Sequence, residues 1–292
     1  MATGFVGAGK IGLPMALNIA RKGKDKLILC DTRPVELPAD ANVAPERVFI
    51  TTDLSELAAC DVVVLSLPDS KVVSVVIEGR DGKPGLIDIL PAGATIIDCS
   101  SSIAAETRRL KSRLDAKGIL FHDAPVSGGI GRAWTGKLTI LAGGIKRDMG
   151  KAYEVLGHMG TTIIELDGVG DGHVVKTANN YVLAANIISL LEATAFAVKS
   201  GISIDKFEEV INRSSGRSYV SENKLDDIKT EHDRVSFTVG LIRKDVANFI
   251  ESAEREAISL PMPETIFATW QAAAEALGED ADNMKFFKYL NS

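Results

Sequence analysis

The sequence predicts a mostly parallel, doubly wound α/β sheet in the first part of the chain and an all-α second part. Three observations carry this. A strand opens the chain almost at once. Strand-like and helix-like segments then alternate, and from Gly172 onward the strand signals fade. Alternation that starts with a strand is the pattern of parallel strands joined by crossover helices on both faces.

The candidate strands are residues 4–7, 27–31, 48–51, 61–67, 95–99, 120–123, 138–142 and 162–166. Several are short, continuous and β-branched, as strands covered on both faces are. Between them, residues 14–22, 54–59, 106–117 and 147–156 are rich in helix formers. Asp53 with Glu56 resembles a capping box, and Gly23 and Gly118 stand where helices would end. Pro34, Pro38 and Pro45 interrupt residues 32–47. A proline has no N–H to donate, so a loop or a short distorted helix is expected there. In the second part, residues 173–200 read as one long helix ended at Gly201. Further helices are expected at 204–212, 219–229, 238–259 and 263–276. The expected organisation is a first domain over residues 1–167 and an all-α domain over 168–292, joined by a helix at about 173–200.

A chain of 292 residues suits two domains. With 46% hydrophobic and 25% charged residues it has the balance of an ordinary globular protein. The net charge of −6 makes a poor generic binder of nucleic acid, because phosphate contacts need a basic surface. Cys30, Cys60 and Cys99 lie in or beside apolar runs and form no CxxC pair, which fits reduced core thiols. No basic stretch followed by a long apolar run marks a signal peptide. The most apolar segment, 182–198, is interrupted by Asn186, Ser189 and Glu192. It falls short of a comfortable bilayer span and reads as a helix buried in protein. A cytoplasmic protein without membrane or nucleic-acid partners is expected. His122, His158, His173 and His232 show no metal-ligand spacing, so no metal is expected.

The strongest local motif is Gly7-Ala8-Gly9-Lys10-Ile11-Gly12, between an apolar strand and a helix at the start of the alternating region. In this setting the first glycine makes a tight turn and the second lets the backbone approach a pyrophosphate. The third allows close helix–strand packing, and the helix N-terminus offers unpaired N–H groups. This is the fingerprint of a Rossmann domain. Asp31 ends the second strand about 20 residues further on, where an acidic side chain accepts from ribose hydroxyls and repels a 2′-phosphate. It argues for NAD. Arg33 keeps NADP possible.

Asp123-Ala124-Pro125-Val126-Ser127-Gly128-Gly129 follows a strand, with Gly131 and Gly136 close behind, and is too glycine-rich for a helix. Ser127 and the amides of Gly128 and Gly129 form either a nest for a carboxylate or a purely structural turn. Gly168, Gly170 and Gly172 precede Lys176, Asn179 and Asn180. Lys176 and Asn180 share one helix face. Apolar neighbours would half-bury Lys176 and bring it toward proton-transfer duty. The plainer alternative is a surface lysine with its stem on the core. Lys244-Asp245 alone reads as an exposed pair.

Together these blocks resemble the β-hydroxyacid dehydrogenase family. The resemblance covers nearly the whole chain, in the family's order. Gly7–Gly12 continues into Leu13-Pro14-Met15-Ala16-x-Asn18. Then come Leu67-Pro68, Asp98-x-Ser100-Ser101, the 123–129 block, Lys176-x-x-Asn179-Asn180, Lys244-Asp245 and Leu260-Pro261-Met262-Pro263. The resemblance implies hydride exchange between NAD(P) and a small 3-hydroxy acid or its semialdehyde. Lys176 would be the general acid/base and Asn180 would orient substrate. Ser127, Gly128 and Gly129 would bind the substrate carboxylate. Lys244 would serve substrate and cofactor. Leu67, Pro68, Ser100 and Ser101 would join Gly7, Ala8, Gly9, Lys10, Ile11, Gly12, Asp31 and Arg33 around the dinucleotide. A homodimer or homotetramer is implied as well. The sequence departs from the family in three places. Arg132 follows Gly131 where alanine is common, Ser101 and Ala104 replace a usual Thr and Pro, and the 32–47 stretch is proline-broken. Two rival readings share the fold: an imine reductase-like enzyme and a non-catalytic dinucleotide-binding protein. Both generally lack the lysine found here at Lys176. A Ser-Lys hydrolase built on Ser127 and Lys176 lacks a nucleophile elbow and leaves the glycine loop unexplained.

Overall fold

In the computed structural model, which describes residues 2–147, 149–230, 235 and 237–291, strand β1 (Ala2–Val6) lies inside a nine-stranded sheet. The other strands are β2 (Lys26–Cys30), β3 (Val48–Thr51), β4 (Cys60–Leu65), β5 (Thr95–Asp98), β6 (Leu120–Asp123), β7 (Val126–Ser127), β8 (Leu138–Gly143) and β9 (Gly160–Leu166). Their order is β3-β2-β1-β4-β5-β6-β8-β7, with β9 paired to β8. From β3 to β6 all pairs are parallel, whereas β8 runs antiparallel to β6 and β7. The chain leaves β1 toward β2 and β3 and returns on the other side at β4. This reversal opens a crevice at the carboxyl ends of the strands, where such sheets bind ligands.

The sheet is covered on both faces because its strands are apolar on both. Val62 and Val64 of β4 enter one core with Met15, Ile19, Leu138 and Ile140. Val63 and Leu65 enter the other with Val73, Ile77, Leu110 and Phe121. The period of two along a strand divides the residues this way. Helix α1 (Gly12–Lys22) covers the first face, with Pro14 in its first turn and Arg21 and Lys22 in its last. α6 (Lys151–Met159) packs beside it, while α2 (Ser70–Glu78), α3 (Leu86–Ile89) and α4 (Ala104–Asp115) serve the other face.

Several expectations are corrected. The 123–136 stretch is not helix-free: α5 (Gly129–Thr135) forms once Gly128 and Gly129 have turned at φ 129° and 71°. Asn18, buried on α1, ties α5 down by donating to the carbonyls of Ala133 and Trp134. α2 was not legible because Val72, Val73, Val75 and Val76 are β-branched and disfavour helix. Its cap decides instead, since the Asp69 carboxylate accepts from the amides of Lys71 and Val72. Asp53 forms no capping box with Glu56. It accepts from Ser55 N at the head of a 3-10 turn over Leu54–Ala59. The proline-broken stretch forms no crossover helix, as expected: it holds a turn closed by Ala41 N donating to the Pro38 carbonyl and a 3-10 turn, Pro45–Arg47.

The chain divides into two compact units, Met1–Lys176 and Thr177–Ser292, the boundary falling within α7 (Asp171–Lys199). The second unit adds α8 (Ile204–Asn212), α9 (Tyr219–Asn223), α10 (Leu225–Lys229), α11 (Val239–Arg255), α12 (Pro263–Leu277) and α13 (Phe286–Asn291). The single helix expected at 219–229 breaks at Lys224. Ile187, Leu191, Ile242, Val246, Trp270 and Phe286 are among its core residues, and Tyr181 stacks on Phe249 with ring centroids 4.0 Å apart. By length and composition α7 is apolar enough to cross a membrane, so the expectation that this segment falls short of a span is corrected. Ala184, Ile187, Ile188, Leu190 and Leu191 of α7 are buried in the second unit's core, as in a core helix, whereas Phe196 is 75% exposed.

His122 of β6 is buried, and neither ring nitrogen makes a hydrogen bond of ordinary geometry. Burial pushes its pKa below the ordinary value of 6.5, outweighing the Gly143 carbonyl and the Asp123 carboxylate, which pull it up. The unfolded chain therefore takes up this proton at higher pH than the folded one. The stability from the neutral ring is present above about pH 6.5 and is lost as pH falls toward the folded value. We expect His122→Leu to show a shallower fall of unfolding free energy with pH below that point. The difference should reach at most about 1.4 kcal/mol per pH unit. Denaturant melts at stepped pH read this, and parallel slopes would rule His122 out.

Candidate active site

The loop after β1 explains its own glycines. Gly7 has φ 102°, and a Cβ there would lie 2.2 Å from the Ser66 carbonyl oxygen. A Cβ on Gly12 would lie 2.0 Å from the Gly7 carbonyl oxygen. At Gly9, by contrast, nothing lies within 4 Å of a Cβ. Ala8 N donates to Asp31 Oδ2 at 2.7 Å, and Arg33 N donates to Oδ1 at 3.1 Å. Asp31 thus braces the loop; its Oδ1 also accepts from Thr32 Oγ1 at 3.4 Å, which leaves Oδ2 with a lone pair for a ribose hydroxyl. Arg33 and Lys10 are exposed, and Ile11 is half-buried. No side chain caps the start of α1 and its first turn holds no acidic residue. Its unpaired amides and partial positive charge suit an anion. The open side of Gly9, the uncapped helix and the strand reversal together fit a dinucleotide pyrophosphate.

Next along the carboxyl edge, Leu67 N donates to Ser100 Oγ at 2.9 Å, which ties the Leu67-Pro68 segment after β4 to the Ser100-Ser101 segment after β5. Asp98, fully buried, accepts from Ser100 N and Ser102 Oγ, both at 2.9 Å. Ser101 is half-buried.

A buried polar latch lies at the start of α7. Asp123, ending β6, accepts from Gly170 N at 2.6 Å and His173 N at 2.8 Å. Hydrogen bonds to a charged group contribute about 1.5–3 kcal/mol each. His173 is fully buried, with Nδ1 2.8 Å from Thr107 Oγ1 and Nε2 3.1 Å from the Ser100 carbonyl oxygen. A carbonyl only accepts, so Nε2 carries a proton. The Asp98 and Asp123 carboxylates approach the ring to 3.8 and 3.7 Å. Lys176 follows one turn later and is half-buried. Ser127 sits half-buried in β7, opposite Thr139 of β8, and Gly128 and Gly129 follow at positive φ.

In the second unit Asn180 is buried and donates to Asp245 Oδ2 at 2.7 Å, and Lys244 Nζ lies 3.3 Å from Asp245 Oδ1. Lys244-Asp245 is therefore not the exposed pair expected. α11 turns Ile242, Asp245 and Val246 inward, and the Asp245 carboxylate is satisfied by an amide and an ammonium. Asp98, Asp123, His173 and Asp245 carried no role in the sequence. Carboxylates at the ends of buried strands were the available signal, because a buried charge requires partners. Among the described residues no group of His, Cys, Asp or Glu is placed to hold a metal ion, and His232 lies outside them.

Residues 2–168 match the family model of the NAD binding domain of 6-phosphogluconate dehydrogenase. Residues 170–290 match that described as NAD-binding of NADP-dependent 3-hydroxyisobutyrate dehydrogenase. The chain is 33% identical to 2-(hydroxymethyl)glutarate dehydrogenase of Eubacterium barkeri over 260 residues, 89% of this chain and 84% of that protein. It is 30% identical to 2-hydroxy-3-oxopropionate reductase of Escherichia coli over 99% of this chain and 97% of that protein. The solved structure of Mycobacterium tuberculosis 3-hydroxyisobutyrate dehydrogenase with L-serine superposes with a TM-score of 0.86 at 25% identity, covering 100% of this chain and 99% of that one. An imine reductase of Myxococcus stipitatus, 14% identical with a TM-score of 0.61, shares the fold alone. With both family models matched in order across nearly the whole chain, the protein belongs to the β-hydroxyacid dehydrogenase family and is an NAD(P)-dependent oxidoreductase.

Proposed function

We propose that the chain oxidises a small 3-hydroxy acid, or reduces the matching semialdehyde, with Lys176 as general acid/base and NAD preferred to NADP. The latch of Asp123 and His173 carries this reading, because it pins the first turn of α7, and so Lys176, to the carboxyl edge of the sheet. The dinucleotide supplies or takes up a hydride at C4 of its nicotinamide. Gly7, Ala8, Gly9, Lys10, Ile11 and Gly12 would hold its pyrophosphate. Leu67, Pro68, Ser100 and Ser101 would flank its nicotinamide side. Asp31 would accept from the ribose hydroxyls and disfavour a 2′-phosphate.

Ser127 and the amides of Gly128 and Gly129 grip the substrate carboxylate. Lys176 takes the hydroxyl proton during oxidation and returns it to the oxygen during reduction. Asn180, braced by Asp245, orients substrate, and Lys244 is a further cation for substrate or cofactor. Holding the reactants in register can remove up to about 7–11 kcal/mol of the barrier, and general acid–base work adds roughly 10²–10⁴-fold. We also infer a cytoplasmic homodimer or homotetramer, which the exposed apolar side chains of α7, Val182 and Phe196, support.

The test is a screen for reduced nicotinamide, with NAD and NADP in parallel. The panel is 3-hydroxyisobutyrate, 2-(hydroxymethyl)glutarate, glycerate and L-serine, and 2-hydroxy-3-oxopropionate is added in reverse. Turnover of one acid with NAD is expected. Preference for NADP would move the ribose role to Arg33. Tight dinucleotide binding with no turnover across the panel would sink the substrate class.

A further inference from the structure

We propose that Arg132 selects a substrate with a second anionic group, a dicarboxylate or comparably dianionic hydroxy acid. This rests on the reading of residues 127–129 as the grip on the first carboxylate. α5 starts directly after Gly128, and side chains on a helix lean toward its N-terminus. One turn on from Gly128, Arg132 therefore folds back across the loop. Its stem occupies the space that a side chain at Gly128 would need. A Cβ there would lie 2.7 Å from Arg132 Cδ, 3.1 Å from its Cβ and 3.4 Å from its Cγ. The stem is thus seated on the loop, which places the guanidinium within one side-chain length of it.

That guanidinium has no hydrogen bond or ion pair among the described residues. Several other arginines of the same unit are engaged: Arg108 and Arg109 reach carboxylates, and Arg21 and Arg47 reach backbone carbonyls, whereas the exposed Arg33 side chain, like that of Arg132, has no such partner among the described residues. An arginine stays charged throughout the accessible pH range, and its planar fork pairs with carboxylate or phosphate oxygens two at a time. The Ser127 hydroxyl and the Gly128 and Gly129 amides already match one carboxylate. The seated, unpaired cation beside them is left for another.

The experiment compares glutarate with butyrate, which differ by one carboxylate and lack the reacting hydroxyl. Each is titrated calorimetrically into the full chain saturated with NAD. Wild type is expected to bind glutarate about tenfold or more tightly than butyrate, with a ratio that shrinks as salt is raised. In Arg132→Ala the ratio should collapse toward one, and Arg132→Lys should restore part of it. A wild type with no preference, or an Arg132→Ala variant with the ratio intact, overturns the proposal. Ser127→Ala separates the two levels. If it weakens both ligands while Arg132→Ala leaves the ratio alone, only the second-anion proposal fails. If Ser127→Ala changes neither ligand, the grip at 127–129 is wrong and the proposal falls with it.

Discussion

Replacing Lys176 with alanine is expected to lower kcat by about 10²–10⁴-fold or more, the usual weight of a positioned acid/base. The fold should hold. Alanine is the best helix former, and Asp123 and His173 hold the start of α7. Dinucleotide affinity, read by fluorescence titration with the reduced cofactor, should stay within about twofold, because an interaction confined to the reacting atoms costs kcat and not binding. Lys176→Arg sharpens the test. It keeps the charge, but a guanidinium does not give up its proton in the working pH range. We expect it to be as slow as the alanine variant. Near-normal turnover in Lys176→Arg would mean that the cation acts electrostatically, and full activity in Lys176→Ala would end the mechanism.

The second large effect contrasts two glycines of one loop. A methyl group at Gly9 meets nothing within 4 Å. Gly9→Ala should therefore melt like wild type without dinucleotide, yet bind the dinucleotide at least about tenfold more weakly, a loss of roughly 1.4 kcal/mol. The methyl would stand where the backbone must approach the pyrophosphate. A methyl at Gly12 would lie 2.0 Å from the Gly7 carbonyl oxygen and 3.2 Å from Ser66 Cβ. Two backbone segments must move apart, so Gly12→Ala should lose about 1–3 kcal/mol of stability, as overpacked sites do, and lose binding as well. Thermal melts without ligand, followed by cofactor titration, separate the two. Equal melting losses would show that Gly9 faces protein and not ligand.

Much of the fold was legible because it rests on local patterns. β3 and β6 occupy the residues expected of them, and α8 does too. Their apolar runs are short and their ends are marked. α2 was hidden because its valines argue for strand while one capping carboxylate, Asp69, settles it as helix. α5 is hidden in the sequence because its glycines argue against helix unless the turn that Gly128 and Gly129 make is known. Gly128 and Gly129 spend their freedom outside the helix, and Ala133 packs into the core.

By itself the sequence determined the alternation that makes a doubly wound sheet, the glycine loop with Asp31, and the order of motifs that marks the family. Each depends on residues near one another in the chain, whose spacing is set by strand and helix periods. Only the tertiary structure decided which distant groups brace one another. Asp123 meets Gly170 and His173, Ser100 meets Leu67 and His173, and Asn180 meets Asp245. It also seats the stem of Arg132 on Gly128. The physical reason is the same in each case. A buried polar group must find its partner wherever folding brings one, and sequence spacing carries no record of that distance.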